Sequence, residues 1–153
     1  MSPLVSADGL GAWRAFLTAH ARVVRLIEVE LAESAALPYL WYDVLVAVAE
    51  APGRELRMGD LARALLLTRS NSTRLVDKVE AAGLVRRESA ASDGRGTVAT
   101  LTPAGLRALR RAWPVYARGI RSHFLEHLSK AETRLLREAL GRIEAAASNR
   151  LRE

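Results

Sequence analysis

Apolar residues recur along the chain at intervals that change from one segment to the next. Trp13, Phe16, Leu17, His20, Val23, Val24, Ile27 and Leu31 follow one another at three- and four-residue steps. That spacing lays them along one stripe of a long first helix, ending near Ser34. Pro38 marks a new start, and from Tyr39 to Ala51 the chain is apolar on nearly every side, as a buried helix is, until Pro52-Gly53 stops it. A short helix is predicted from Met58 to about Leu66, with Leu61, Ala62 and Leu65 inward. Thr68 is placed to cap the next helix, its hydroxyl accepting from a first-turn N–H. That helix runs to about Ala82 and ends at Gly83, a residue suited to the left-handed position after a helix.

The period then shortens. Leu84-Val85-Arg86 reads as a strand, Ser92 to Gly96 as a turn cluster and Thr97 to Leu101 as a second strand, together a hairpin with a long tip. Thr102-Pro103 opens another helix, with Leu106, Leu109, Trp113, Tyr116, Ile120, Phe124 and His127 in one stripe and Pro114 expected to bend it. Ser129-Lys130-Ala131-Glu132 fits a capping box ahead of a final helix that turns Leu135, Leu136, Ala139, Leu140 and Ile143 inward. The expected class is mainly α with a small β-hairpin wing. Three regions follow: an N-terminal helix over 1–36, a winged helix-turn-helix over 37–102 and C-terminal helices over 103–153, packed as one compact chain.

Composition narrows the chemistry. With 153 residues, half of them apolar, the chain can bury a core, and with no cysteine it has no disulfide or thiolate metal site. The aliphatic run Val44–Ala49 falls far short of the ~20 residues of a membrane span. Residues 1–11 lack a basic start followed by an apolar block, so no membrane association and a cytoplasmic location are expected. The net charge of +6 is unevenly placed: residues 1–53 are net acidic, residues 54–95 net basic, and residues 96–125 carry arginines 107, 110, 111, 118 and 121 with no acid. A basic middle suits a phosphate-rich partner.

The order helix, short turn, helix, hairpin over 57–101 is the plan of a winged helix-turn-helix. At ~100° per residue, Ser72, Leu75, Val76, Val79 and Ala82 fall on one arc of the 69–82 helix and face the preceding helices. Ser70, Thr73, Arg74 and Asp77 point to the other side, with Asn71 and Lys78 on the flank. Short hydroxyls, an amide and a central arginine suit a major groove, where Arg pairs with guanine, Asn with adenine, and Ser or Thr with bases and phosphates. The expected DNA contacts are Thr68, Arg69, Ser70, Asn71, Thr73, Arg74 and Lys78 from this helix and Arg86 and Arg87 from the hairpin base. Arg95 at the tip is expected in a narrow minor groove, held by Asp93.

The run from Leu56 to Gly105 resembles the DNA-binding core of the MarR (multiple antibiotic resistance regulator) family. It does so through Thr73-Arg74-Leu75-Val76-Asp77, Glu80-x-x-Gly83-Leu84-Val85, Asp93-x-Arg95 and Leu101-Thr102-x-x-Gly105. Leu37–Gly53 and Phe124–Glu132 extend the likeness over nearly the whole chain. The resemblance implies a homodimer with interleaved terminal helices, two winged domains on one pseudopalindromic double-stranded operator, and repression relieved by a small molecule. It assigns Ser70, Asn71, Thr73 and Arg74 to the recognition helix and Arg95 to the wing. Trp41 before Tyr42 departs from the glutamine frequent in the family.

Two further sets of residues carry alternatives. Trp13, Phe16, His20, Tyr39, Trp41, Tyr42, Trp113 and Tyr116 are candidates for a cleft holding a small aromatic or phenolic effector, against the ordinary reading as core. His123 and His127, four apart on the expected helix, have a zinc-chelating spacing, with His20, Glu28 or Glu30 as a third ligand. H-x-x-x-H alone defines no motif, so no metal or other cofactor is expected. No nucleophile elbow, phosphate-binding glycine loop or paired acid is present, which argues against an enzyme. The competing readings are a metal- or ligand-responsive sensor built on His123 and His127, and a helical interaction module that does not bind DNA.

Overall fold

The computed structural model describes residues 4–90 and 96–151. The chain divides into two compact units, residues 24–117 and residues 1–23 with 118–153, the boundaries falling inside helices. The described elements run α1 (Ala7–Ala35), α2 (Tyr39–Glu50), β1 (Glu55–Arg57), α3 (Met58–Ala64), α4 (Arg69–Ala81), β2 (Val85–Ser89), β3 (Thr97–Leu101), α5 (Pro103–His123) and α6 (Lys130–Arg150).

In the unit 24–117, α2 is the central post. Its Tyr42, Val44, Leu45 and Val48 are buried, together with Ile27 and Leu31 of α1, Leu61 of α3, and Val76 and Val79 of α4. Each fully buried aliphatic side chain contributes about 1.5–3 kcal/mol relative to exposure, which is why the apolar stretch of α2 sits where most elements meet. The sheet has the order β1-β3-β2, both pairings antiparallel. Val85 faces Leu101 and Ser89 faces Thr97 in the hairpin, while Leu56 of β1 faces Ala99. The strand β1 was not foreseen, and the first hairpin strand runs Val85–Ser89 rather than starting at Leu84. The helix before the turn stops at Ala64, because Leu66 takes the left-handed conformation (φ 54°) and Leu67 donates back to the Ala62 carbonyl.

Local chemistry sets the bounds of α4. Thr68 Oγ1 accepts from the Asn71 N–H at 3.2 Å, the foreseen cap. At the other end Gly83 adopts φ 74°, and two N–H groups reach back, Gly83 to Glu80 and Leu84 to Val79. The inward arc holds Ser72, Val76 and Val79 as expected; Leu75 is half-buried, and Ala82, past the last turn, is exposed. Ser72 Oγ is buried with no hydrogen-bond partner among the described residues. A buried unsatisfied polar atom costs about 1–3 kcal/mol. Ser72→Ala is therefore expected to raise the stability by about 1 kcal/mol, read as a higher urea midpoint at unchanged slope.

In the unit 1–23 with 118–153, α6 starts on the capping box: Ser129 Oγ accepts from Glu132 N–H, and the Glu132 carboxylate accepts from Ser129 N–H at 2.8 Å. The helix buries none of its residues. Leu135 (62% exposed) and Ile143 (64%) lie open rather than inward as expected, because no described residue covers them. On α1, Trp13, Phe16 and Leu17 are likewise exposed. Helix α5 continues through Pro114 but ends at His123. At Phe124 the backbone leaves the helix (φ −131°, ψ −61°), and Leu125–His127 form a separate 3-10 turn. His123 and His127 therefore do not stand one turn apart on a single helix, the arrangement on which their zinc-chelating spacing rests.

Candidate nucleic-acid interface

The outward side of α4 is built by the same periodicity that buries its inner side. Arg69, Ser70, Asn71, Arg74, Asp77 and Lys78 are exposed. Thr73 is half-buried, and its hydroxyl donates to the Arg69 carbonyl at 2.9 Å, so toward a ligand this group acts as an acceptor. Thr68 Oγ1 and Ser70 Oγ lie 3.3 Å apart at the start of the helix. The result is a polar surface with donors of four chemical types, which can read base edges where a face of acids or of long apolar chains could not.

Arg87 fastens the hairpin to this helix. Arg87 on β2 donates from its backbone N–H (2.7 Å) and Nε (2.8 Å) to the two carboxylate oxygens of Glu80, and its Nη2 meets Asp77 at 2.7 Å. Those bonds, the backbone N–H first, hold the Glu80 carboxyl below its usual range. Charge-assisted, bidentate contacts are the strong kind of hydrogen bond. The guanidinium of Arg87, expected to meet phosphates, is engaged in this structure by two carboxylates of α4. Its sequence signal was a Glu seven residues earlier across the Gly83 turn. Arg86 points outward and pairs with Glu88 at 2.5 Å. Asp93 and Arg95 lie outside the described residues.

A second fastening joins the end of the hairpin to α5. Thr102 Oγ1 donates toward the carbonyls of Gly83 (2.7 Å) and Leu84 (3.0 Å) and accepts from the Gly105 N–H (2.9 Å). Thr102 N–H also reaches the Leu84 carbonyl. Gly105 packs so close that a Cβ there would stand 1.9 Å from that carbonyl oxygen. The sequence Leu101-Thr102-x-x-Gly105 is thus a joint between α4, the hairpin and α5.

The MarR family model matches residues 37–96, the span that contains this surface. Among solved structures, AbsC, a MarR family transcriptional regulator from Streptomyces coelicolor, is 30% identical, the match covering 97% of this chain and 99% of that one with a TM-score of 0.88. Sco3205, a MarR family transcriptional regulator from the same organism solved in complex with DNA, is 33% identical over 95% of this chain and 91% of its own, with a TM-score of 0.86. The chain belongs to the MarR family. The transcriptional regulator BldR from Sulfolobus solfataricus is 28% identical, covering 91% of this chain and 96% of its own at a TM-score of 0.76. Among curated proteins no sequence matches. The likeness to MarR regulators therefore covers both the winged region and the flanking helices, as the motifs had implied.

In this MarR-family chain the aromatic candidates fall into two groups. In the unit 24–117, Tyr42 and Tyr116 have ring centroids 4.5 Å apart, with Tyr39 and Trp113 each 6.3 Å from Tyr116. In the other unit, Phe16 lies 6.1 Å from Trp13 and 6.3 Å from His20. Trp41 is half-buried. A cleft of about 310 Å³ between α2 and α5 is lined by Tyr42 and Trp113 together with Val46, Glu50, Leu109 and Arg110, residues the sequence reading had not selected. Burial pushes the phenols of Tyr39 and Tyr42 above their ordinary range.

Burial also pushes the Asp43 carboxyl up to about 6. Its folded value lies above its unfolded one near 4, so the folded chain holds this proton more tightly. Stability is accordingly lost as pH rises from about 4 to about 6 and stays lower above that window. Asp43→Asn is expected to remove this slope, with variant and wild type alike near pH 4 and the variant more stable at pH 7, as urea midpoints across pH will show. Among the described residues no three His, Cys, Asp or Glu side chains gather as a metal site. No single described helix is long and apolar enough to cross a membrane.

Proposed function

We propose that this MarR-family chain is a homodimeric, sequence-specific binder of double-stranded DNA in the cytoplasm, reading a pseudopalindromic operator with α4 and repressing until a small effector releases it. The observation that carries the reading is the division of α4. Val76 and Val79 are fully buried while Ser70, Asn71 and Arg74 stand exposed, in a fold shared with a relative solved on DNA. In the proposed contact Arg74 and Asn71 address base edges, Ser70 and the Thr73 oxygen complete the set, and Thr68, Arg69, Lys78 and Arg86 meet the backbone. Arg95, supported by Asp93, serves a minor groove.

The dimer is supported by the exposed apolar residues of α1 and α6, Trp13, Phe16, Leu135 and Ile143, which a second copy would cover. A closed twofold pair would set two recognition helices about one duplex turn, ~34 Å, apart. Light scattering is expected to give twice the chain mass; a stable monomer would remove the twofold operator. The effector proposed is a small aromatic or phenolic molecule in the cleft between α2 and α5, where Trp113 (57% exposed) forms one wall and Arg110 could take an anionic substituent. A gel-shift titration against the gene's own upstream DNA, with a scrambled duplex of equal length beside it, tests the central reading. Preferential retardation of the upstream fragment, steeply weakened by salt, is expected. Equal and feeble binding to both duplexes would favour a ligand sensor or an interaction module instead.

A further inference from the structure

The outward side of α4 carries one exposed acid, Asp77, among the exposed cations Arg69, Arg74 and Lys78. Side chains three or four apart on a helix are neighbours, and of Thr73, Arg74, Glu80 and Ala81 only Arg74 offers Asp77 a positive charge. A pair between them would spoil a reading surface. It would occupy the guanidinium fork that guanine requires. A carboxylate left unneutralised fares no better, because it only accepts hydrogen bonds and would face phosphates and base edges rich in acceptors. Arg74 nevertheless has no hydrogen bond or ion pair among the described residues. Asp77 is taken from the other side, by Arg87 Nη2 at 2.7 Å.

Arg87 is held ready for this. Its backbone N–H and Nε are anchored on the Glu80 carboxylate at 2.7 and 2.8 Å, and Nη2 bridges Glu80 and Asp77. Its side chain is 30% exposed against 51% for Asp77, so the cation sits on the sheltered side of the pair and draws the acid away from the outer surface. We propose that Arg87 is a positioning residue for base reading: by holding Asp77 it keeps that carboxylate off Arg74 and leaves the Arg74 guanidinium open to the groove. The inference rests on the DNA-binding reading and extends it to a hairpin residue that acts through Asp77 rather than by touching a base. Glu80 has its own part, since it fixes the guanidinium where Asp77 can meet it.

Fluorescence anisotropy on the full-length protein, with the upstream duplex and its single-base variants, tests this, and urea unfolding checks that each variant is folded. Arg87→Gln is expected to weaken upstream binding about tenfold and to relax the preference at the base pair Arg74 faces. Adding Asp77→Asn to Arg87→Gln is expected to restore both, by a factor larger than Asp77→Asn gives in the wild-type chain. In NMR spectra of the free protein, the Arg74 Nε–H resonance is expected to shift in Arg87→Gln and to return in the double variant. Should Arg87→Gln fail to fold, Arg87→Lys carries the same test. One ammonium does not replace a fork shared by two acids, so a smaller loss with the same recovery is expected. A loss that Asp77→Asn does not recover, with upstream and scrambled duplexes weakened alike, would leave Arg87 a structural tie and overturn the proposal. Wild-type affinity and preference in Arg87→Gln would overturn it too. Failure of the sequence-reading proposal shows differently, as a wild-type chain that binds both duplexes equally while the Arg74 resonance still answers to Arg87.

Discussion

Gly105→Ala is expected to cost this chain about 2–4 kcal/mol of stability, although the same change in an open helix is favourable. Alanine gains about 1 kcal/mol over glycine in a helix interior. Here the new methyl would meet the Leu84 carbonyl oxygen at 1.9 Å and the Leu84 carbonyl carbon at 2.9 Å, both backbone atoms that no rotamer change can move. Relief requires α5 to back away from the α4–hairpin junction. That motion would stretch the Thr102 bonds to Gly83 and Leu84, each worth about 1 kcal/mol net, on top of overpacking at about 1–3 kcal/mol. Urea unfolding followed by circular dichroism measures the sum. A midpoint equal to or above the wild type would mean that the joint has slack the geometry does not show.

Arg74→Ala is expected to weaken operator binding by ~1–3 kcal/mol per half-site and by about twice that on a two-site operator, the separated contributions adding. It should also relax the preference at the base pair it faces. The comparison that gives the number meaning is Lys78→Ala on the flank of the same helix. Loss of a phosphate contact there would weaken all duplexes alike and lower the salt slope by about one. Fluorescence anisotropy with the upstream duplex and single-base variants separates the two patterns. An Arg74 variant with wild-type affinity and preference would show that the outward side of α4 is not the reading surface.

Most helices were legible because one segment sufficed to specify them. The stripe from Trp13 to Leu31, the apolar run of α2, Thr68 with Gly83 around α4, and the Ser129–Glu132 box each carry their own start, stop or face, and the structure places elements at all of them. What escaped was fixed by distant partners. Glu55-Leu56-Arg57 has too little alternation to announce a strand, and it is one because the free edge of β3 pairs with it. The break after His123 has no proline or glycine to mark it, and the apolar spacing of Phe124 and His127 continued the helix on paper. Arg87 looked like any basic residue beside a presumed duplex. Only the fold across Gly83 shows that Asp77 and Glu80 reach it first. For the candidate site, exposure of the α4 residues followed from helical periodicity, whereas which of its charges are already paired needed three dimensions.

The latch between Arg87 and the two acids has an implication for which DNA can be accommodated. A hairpin root held to α4 at three points cannot swing to follow a groove that arrives early or late. On the proposed mode of binding, any adjustment of phase between neighbouring grooves therefore falls to the double helix. Sites rich in pliable pyrimidine–purine steps would yield at small elastic cost and stiff tracts at a larger one, so this protein would discriminate among base pairs it never touches.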